Sequence, residues 1–272
     1  MVVMPPSYTD NLGMRALLFD MDGVVYNSEQ LIPGAPEALA WVRKHGIPHL
    51  FVTNTTSRGR AALAEKLEKF GIPAHEEHIL TPPVAASAWL RGQDGVVALF
   101  VRPATQGEFS GLTLLDNDAE AGADFVVVGD LGELWDFRTL NRAFRLLHSN
   151  PDCKLIALGM TRFWYTPTGV SLDTSPFVAA LENATGRAPM VFGKPAAAFF
   201  HAAADRLQTA PPEILMIGDD VVTDVGGAQK SGLKGALVKT GKYRESDLHH
   251  DPAPDVVLDS IASLPEWWEQ YQ

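Results

Sequence analysis

The amino-acid sequence predicts an α/β fold in which a parallel sheet carries helices on its faces and a second α/β domain is inserted into it. Three observations predict this. Short apolar runs alternate with segments of helical periodicity in the N-terminal part, and the same alternation returns in the C-terminal part. Residues 83–187 lie between these parts and show a separate alternation of their own. Because strands that alternate with helices pair in parallel, the two outer parts are expected to share one sheet.

The N-terminal part supplies two predicted strands and two predicted helices. Arg15–Asp20 and Pro48–Asn54 are apolar runs of strand length that end in polar residues. Ala35–His45 and Ser57–Phe70 carry apolar residues at helical spacing, and a glycine follows each segment. The order is strand, helix, strand, helix, which is typical of a parallel sheet.

The C-terminal part repeats this order. Ala196–Leu207 and Val221–Ser231 are predicted helices, and Glu213–Ile217 and Gly235–Val238 are predicted strands. In open parallel sheets, ligands bind at the carboxyl ends of the strands. Polar residues follow such ends at Asp20, Thr53 and Asp219, so we expect these side chains to lie at one edge of the sheet.

The middle of the chain is predicted to fold as an inserted domain, which we name the cap domain. The cap domain is predicted to span residues 83–187. The core domain is predicted to consist of residues 14–82 and 188–272. The cap domain has three strand-like and two helix-like segments: Val96–Val101, Phe125–Val128, Leu155–Leu158, Phe137–His148 and Pro176–Thr185.

Composition narrows the classes of function. The chain has 272 residues, 46% of them hydrophobic, and a formal net charge of −11 without a basic cluster, which argues against binding to nucleic acid. No apolar stretch approaches the length of a membrane span. Cys153 is the single cysteine, so an intramolecular disulfide is impossible and a buried packing role is expected. These features predict a cytoplasmic protein that does not bind membranes.

The segment Asp20-Met21-Asp22-Gly23 places two carboxylates just beyond a strand, with a glycine that permits a turn. One carboxylate could attack phosphorus and form an aspartyl-phosphate. The other could protonate the leaving oxygen and then deprotonate water. An acidic turn without chemistry is an equally good interpretation of this tetrapeptide on its own.

A second acidic cluster, Gly218–Asp224, follows the predicted strand Glu213–Ile217. Carboxylate oxygens at a strand end suit Mg²⁺, which takes few protein ligands. Asp219 is the first candidate ligand, and Asp220 and Asp224 are candidates either for direct ligation or for orienting the ligands. The cluster alone could also be a helix cap with an exposed acidic face.

Two further motifs carry groups that suit phosphate. Thr53 and Asn54 could donate hydrogen bonds to phosphoryl oxygens, although Thr-Asn at a strand end is also ordinary turn chemistry. Lys194, between Gly193 and Pro195, could neutralise phosphate and a nucleophilic carboxylate, although most lysines are solvated surface residues.

The four motifs in this order resemble those of the haloacid dehalogenase (HAD) superfamily over essentially the whole chain. The resemblance implies a Rossmann-like core, a Mg²⁺ cofactor and an aspartyl-phosphate intermediate. It implies Asp20 as nucleophile and metal ligand, and Asp22 as acid/base whose backbone carbonyl also binds the metal. It further implies phosphate binding by Thr53, charge neutralisation by Lys194 and metal binding by Asp219.

The spacing of the motifs resembles one branch of that superfamily. Dehalogenases lack the second aspartate, which is present here as Asp22. Only 32 residues separate Asp20 from Thr53 (53 − 20 − 1), so the inserted domain lies after the Thr-Asn motif, as in NagD-like phosphatases. Gly159–Tyr165, Gly169–Leu172 and the tail from Thr240 to His250 are similar to the subgroup of phospholysine phosphohistidine inorganic pyrophosphate phosphatases, whose members can lack that second aspartate.

Several residues outside the four motifs have competing interpretations. A loop of the cap domain is predicted to contact the leaving group of the substrate through Arg162, Trp164 and Tyr165. Phe163 and Trp164 could equally pack in the core of the cap domain. His249 and His250 lack a third ligand at a recognisable spacing, which favours a surface loop. The pair Trp267-Trp268 is predicted to anchor a last helix.

The sequence therefore predicts a Mg²⁺-dependent phosphohydrolase that acts on a small phosphorylated metabolite. A phosphotransferase is the second enzyme hypothesis, disfavoured by the cap position. A non-catalytic metabolite-binding or interaction module is the third, disfavoured because both Asp20 and Asp22 are present. The resemblance also implies that the cap surface could support a homodimer.

Overall fold

The computed structural model describes residues 13–166 and 169–271. The described chain folds into two compact units: residues 13–53, 60–80 and 194–271 form the first, and residues 54–59, 81–166 and 169–193 form the second. The predicted core and cap boundaries differ from these limits at 54–59, 81–82 and 188–193. Whether the second unit acts as a cap stays a prediction.

The strands follow one another along the chain with these bounds: β1 (Ala16–Asp20), β2 (Tyr26–Asn27), β3 (Gln30–Leu31), β4 (His49–Val52), β5 (Ile79–Leu80), β6 (Val97–Phe100), β7 (Phe125–Val128), β8 (Lys154–Ala157), β9 (Phe163–Thr166), β10 (Gly169–Leu172), β11 (Met190–Val191), β12 (Ile214–Gly218), β13 (Lys234–Val238) and β14 (Val256–Leu258).

The α-helices are α1 (Ala35–Lys44), α2 (Arg60–Lys69), α3 (Pro82–Leu90), α4 (Pro103–Gln106), α5 (Phe137–Ser149), α6 (Thr174–Thr185), α7 (Ala197–Leu207), α8 (Gly227–Lys230) and α9 (Leu264–Tyr271). In the described part of the chain, no helix is both long enough and apolar enough to cross a membrane.

The first unit is built on a six-stranded sheet in the order β14-β13-β12-β1-β4-β5, and every pairing in it is parallel. All five residues of β1 and of β12 are buried, as expected for central strands covered by helices on both faces. Phe19, Phe51, Leu39 and Trp267 belong to the core that packs on this sheet. Burying each such side chain stabilises the fold by about 1.5–3 kcal/mol. The predicted parallel α/β core is confirmed.

The second unit has its own four-stranded parallel sheet, in the order β11-β8-β7-β6, and a separate antiparallel hairpin of β9 and β10. Helices α5 and α6 pack together on this sheet around a core that includes Val126, Leu146 and Val178. Cys153 is 2% exposed in the same core, so its predicted packing role is confirmed. Burial raises the pKa of its thiol to about 11.

Three predicted elements differ from the structure. Helix α2 begins at Arg60 and not at Ser57, because residues 54–59 pack into the second unit, where Thr56 Oγ1 accepts a hydrogen bond from the Asp130 N–H at 3.1 Å. The predicted helix Val221–Ser231 is a π-helical segment, Val221–Gly226, followed by α8. The segment predicted to be a loop at Arg162, Trp164 and Tyr165 contains strand β9 instead, which pairs with β10.

Candidate active site

The carboxylate of Asp20 lies at the carboxyl end of the central strand of the first unit. Strand β1 is paired with β12 on one side and with β4 on the other, and Asp20 is opposite Val52 in that register. The side chain is almost fully buried. Burial is the main reason that the pKa of Asp20 is raised, and the nearby Lys194 ammonium opposes that rise.

Lys194 joins two of the acidic motifs. Its Nζ lies 2.6 Å from Asp20 Oδ1 and 2.7 Å from Asp224 Oδ1, and its side chain is 3% exposed. Burial alone would lower the pKa of this lysine, but Asp20 and Asp224 raise it above its ordinary value. Lys194 therefore stays charged, and the structure brings the predicted lysine to the predicted nucleophile.

Asp219 and Asp224 complete a buried acidic group. One carboxylate oxygen from each of Asp20, Asp219 and Asp224 lies within 4.8 Å of the other two. The pKa of Asp219 is raised to about 6, chiefly by burial and then by Asp224. The pKa of Asp224 is likewise raised to about 6, chiefly by burial, with Asp20 adding to the rise and Lys194 opposing it.

This donor set fits a divalent cation. Asp219 Oδ1 is buried and has no hydrogen-bond partner among the described residues, which is costly for a carboxylate oxygen unless a cation completes its coordination. Three carboxylates and one ammonium leave a charge of −2 (−3 + 1), which a divalent cation neutralises. Asp20, Asp219 and Asp224 are therefore the side chains that could hold it, and hard oxygen donors favour Mg²⁺ over softer metals.

Glycines let the loops approach these carboxylates. Gly23 has φ +91°, and a Cβ at this position would collide with the Asp219 carboxylate. A Cβ at Gly218 would likewise collide with Asp224. Gly23 therefore lets the loop after β1 approach Asp219, and Gly218 lets Asp224 turn back onto the end of β12.

Asp220 lies outside the group of three. Its Oδ1 accepts hydrogen bonds from the N–H groups of Val222 (3.0 Å) and Thr223 (2.9 Å), so the carboxylate caps the π-helical segment. Burial opposes the effect, but these bonds and the Lys242 ammonium lower the pKa of Asp220. Of the two candidates that the sequence left open, Asp224 has the geometry of a ligand and Asp220 has that of a helix cap.

Asp22 differs from Asp20 in being exposed to solvent. Its Oδ1 accepts a hydrogen bond from the Ser28 N–H at 3.2 Å, which leaves the second oxygen Oδ2 for other partners. Two carboxylates from one tetrapeptide thus have opposite environments, one buried and paired, the other solvated.

The Thr-Asn motif begins at the end of β4. Thr53 directly follows Val52, the register partner of Asp20, and its N–H donates to the Leu80 carbonyl at 3.2 Å. Asn54 belongs to the second unit, where its Oδ1 lies next to Gly193. The phosphate-binding role of both residues stays a prediction.

The predicted cap residues lie at the β9–β10 hairpin. Arg162 immediately precedes β9 and is exposed. Trp164 is 41% exposed and Phe163 44%, so neither is a buried core residue, and the side chain of Tyr165 lies outside the described residues. Trp164 and Val170 line a cavity of about 720 Å³ within the second unit. A role of these residues in substrate choice stays a prediction.

Two minor interpretations can also be compared with the structure. His250 Nδ1 lies 3.2 Å from the Pro252 carbonyl, and neither His249 nor His250 belongs to a metal-ligating group among residues 13–166 and 169–271. Trp267 lies on α9, is 2% exposed and packs into the core, with Trp268 against it, so the predicted anchoring of a last helix is confirmed.

The sequence reasoning missed one set of residues at the site, the segment Thr240–Lys242 after β13. The Lys242 N–H donates to Asp219 Oδ2 at 2.8 Å, and its Nζ lies 3.5 Å from Asp220 Oδ2. In the sequence the segment was noted only as part of the stretch from Thr240 to His250 that resembles one subgroup of phosphatases. The signal that could have identified it is its position just beyond the predicted strand Gly235–Val238.

Comparison with known proteins gives two family matches and several similar relatives. Residues 17–112 match the family described as haloacid dehalogenase-like hydrolase, and residues 191–264 match that described as HAD-hydrolase-like. The phospholysine phosphohistidine inorganic pyrophosphate phosphatase of Homo sapiens is 34% identical over 255 residues, 92% of each chain. The haloacid dehalogenase-like hydrolase domain-containing protein 2 of Bos taurus is 37% identical over 249 residues, 91% of this chain and 93% of its own.

Two solved structures are similar to this chain in fold along nearly its whole length. The p-nitrophenyl phosphatase from Archaeoglobus fulgidus has a TM-score of 0.84 and 27% identity, covering 93% of this chain and 99% of its own. NagD from E. coli K-12 has a TM-score of 0.81 and 26% identity, covering 92% of this chain and 97% of its own.

Proposed function

Since this chain belongs to the haloacid dehalogenase-like hydrolases, we propose that it is a Mg²⁺-dependent phosphohydrolase of small phosphorylated metabolites, with Asp20 as its nucleophile. The family resemblance predicted from the four motifs is confirmed, as is the likeness to NagD. The predicted enzyme class, a HAD-like phosphatase, is confirmed by relatives that are named phosphatases. The metal, the covalent intermediate and the substrate are the proposed parts.

One observation carries the proposal: a buried carboxylate, Asp20, lies 2.6 Å from a buried ammonium, Lys194, and beside two further buried carboxylates. Burial keeps the Asp20 oxygens away from bulk water, and the Lys194 ammonium favours the anionic form that a nucleophile requires. Asp20, Asp219 and Asp224 would hold Mg²⁺, which when bound would neutralise phosphate oxygens and fix their orientation.

The proposed reaction has two halves. An oxygen of Asp20 attacks phosphorus, the bond from phosphorus to the leaving group breaks, and Asp22 gives its proton to the departing atom. Asp22, now a carboxylate, takes a proton from water, and the water oxygen attacks phosphorus. The bond between phosphorus and Asp20 then breaks, which releases phosphate and restores both carboxyl groups. The solvent exposure of Asp22 suits proton exchange of this kind.

Thr53 and Asn54 are proposed to donate hydrogen bonds to the phosphoryl oxygens, and Lys194 to stabilise the charge that develops on them. The substrate is proposed to be a phosphate ester, a phosphoramidate or pyrophosphate. The names of the relatives support this range, since they include phospholysine, phosphohistidine, pyrophosphate and p-nitrophenyl phosphate.

The test is a phosphate-release screen with these three substrate classes, in Mg²⁺ and in EDTA. We expect Mg²⁺-dependent release by the native chain and a loss of at least about 10³-fold in Asp20→Asn, because an amide cannot form the covalent intermediate. Intact-mass analysis of acid-quenched enzyme should show a phosphoryl adduct that Asp20→Asn lacks. Wild-type activity in Asp20→Asn would contradict the assignment of the nucleophile.

A homodimer through the second unit also stays a prediction. Leu134, Phe137, Val170 and Leu172 are apolar and between 57% and 84% exposed there. Light scattering of the native chain would measure its mass, and a mass near 29.5 kDa at all concentrations would contradict the dimer.

A further inference from the structure

The segment Thr240–Lys242, which we name the strap, contacts both acidic loops of the candidate site. Thr240 Oγ1 donates a hydrogen bond to the Gly23 carbonyl at 2.5 Å. Gly241 packs so closely on the Asp219 carboxylate and on Gly23 that any side chain at 241 would collide with both. Lys242 contributes its N–H to Asp219 Oδ2 at 2.8 Å. Three consecutive residues therefore each make a contact to the loop after β1 or to Asp219.

We propose that the strap positions Asp219 as a ligand of the cation, by holding its Oδ2 on a backbone N–H so that the buried Oδ1, which has no hydrogen-bond partner among the described residues, is left to bind the cation. This inference rests on the proposed function, because it concerns the same Mg²⁺ site. It assigns Thr240 and Gly241 as positioning residues, neither of which touches the reacting atoms.

The unequal environments of the two Asp219 oxygens support this proposal. Oδ2 has a partner in the Lys242 N–H, whereas Oδ1 is buried and has none among the described residues. A carboxylate free to rotate would exchange the two oxygens, but the strap bonds one of them and packs against it from the Gly241 side. Groups that orient a metal ligand in this way typically contribute 10- to 100-fold to metal affinity.

Sheet order explains why the strap reaches Asp219. Strand β13 is the neighbour of β12, with Gly218 opposite Leu237 in the register. The loops that leave two adjacent parallel strands lie side by side, so the residues after Val238 pass next to Asp219. The Thr240 hydroxyl then extends to the loop after β1, which is the other neighbour of β12.

The experiment measures Mg²⁺ affinity of the full chain by titration calorimetry. Thr240→Val keeps the shape of the side chain and removes the donor, so we expect Mg²⁺ to bind at least about tenfold more weakly. Thr240→Ser keeps the hydroxyl and should bind within about threefold of the native chain. Because the strap acts through the ligand, saturating Mg²⁺ should restore most of the kcat of Thr240→Val.

Glycine variants provide a matched pair. Gly241 has φ +62° and Gly46 has φ +63°, but a Cβ at Gly46 meets nothing within 4 Å. Alanine at either position carries the same backbone penalty. Only Gly241→Ala should lose Mg²⁺ affinity by at least about tenfold. Lys242→Gln keeps the N–H and removes a positive charge near the cation, so its Mg²⁺ affinity should not fall.

As a control, melting curves are measured first to establish that each variant is folded. The inference is overturned if folded Thr240→Val binds Mg²⁺ within about threefold of the native chain, or if Gly46→Ala loses as much affinity as Gly241→Ala. It is also overturned if Lys242→Gln weakens binding about tenfold, since the side-chain charge would then explain the effect. A native chain that binds no Mg²⁺ would instead overturn the proposed function.

Discussion

Replacing Asp219 by asparagine should stabilise the metal-free protein, although it should abolish metal binding. Asp219 is 1% exposed and lies beside the buried carboxylates of Asp20 and Asp224. Asparagine has nearly the same shape, and its Oδ1 can still accept the hydrogen bond from the Lys242 N–H. The substitution therefore removes a buried negative charge and keeps the packing.

The pKa of Asp219 sets the size of the effect. The pKa is about 6 in the folded chain against 3.8 for an ordinary aspartate, so folding at neutral pH costs about 3 kcal/mol, at 1.36 kcal/mol per unit. The folded state binds the proton more tightly, so this cost is fully present above pH 6 and is relieved as the pH falls through 6 toward 3.8. Asparagine avoids the cost, and its advantage should fall to about half at pH 5.

Thermal unfolding in EDTA at about pH 7.5 and about pH 5 measures this difference. We expect the variant to melt about 6 °C higher at the upper pH and the gap to narrow at the lower one. Saturating Mg²⁺ should raise the Tm of the native chain and leave the variant unchanged, because only the former binds the cation. Asp205→Asn, at an exposed position of α7, should change neither Tm. A variant less stable than the native chain at the upper pH, or a gap that does not depend on pH, would refute the reasoning.

Three further perturbations test other parts of the site. Lys194→Met leaves Asp20 and Asp224 buried without the ammonium that they share, so it should lower the free energy of unfolding by about 3–5 kcal/mol. Urea unfolding measures this free energy, and an unchanged value would contradict the buried ion pairs. Asp22→Asn should keep the Mg²⁺ affinity, because the side chain is exposed, but it should slow turnover by about 10²- to 10⁴-fold. Rapid-quench phosphate assays would measure this loss, and turnover at the native rate would exclude an acid/base role. Cys153 should resist a thiol reagent at about pH 8 and react in guanidinium, because its pKa is about 11; fast labelling of the folded chain would contradict its burial.

Periodicity predicted a helix whose two sides differ in polarity, and it failed for a helix that is buried on nearly all sides. Helix α1 buries one face and was predicted to within one residue of its end. Helix α3 was missed, because seven of its nine residues are buried and it therefore has no polar stripe to indicate a helix. The two-residue strands β5 and β11 are too short to give any pattern.

The sequence predicted most residues of the candidate site, but it did not predict which of them contact one another. Strand ends identified Asp20, Thr53 and Asp219, since each polar residue follows an apolar run. No local pattern could show that Lys194 bonds both Asp20 and Asp224, because those contacts join motifs 174 and 30 residues apart (194 − 20 and 224 − 194). The choice between Asp220 and Asp224 depended on the π-helical segment, which has no sequence signature of its own.

The charges of the site support the proposal that a divalent cation binds beside the lysine. Lys194 is bonded to Asp20 and Asp224, so it compensates those two carboxylates and leaves Asp219 with a backbone N–H as its partner. A second lysine in place of a metal would neutralise Asp219 but would leave the site one charge short, since three carboxylates and two ammonium groups sum to −1 (−3 + 2). A divalent cation held by the three carboxylates would bring the sum to zero (−3 + 1 + 2) before an anionic substrate arrives. The same buried charge that lowers the stability of the metal-free chain is therefore what would give the site its affinity for Mg²⁺.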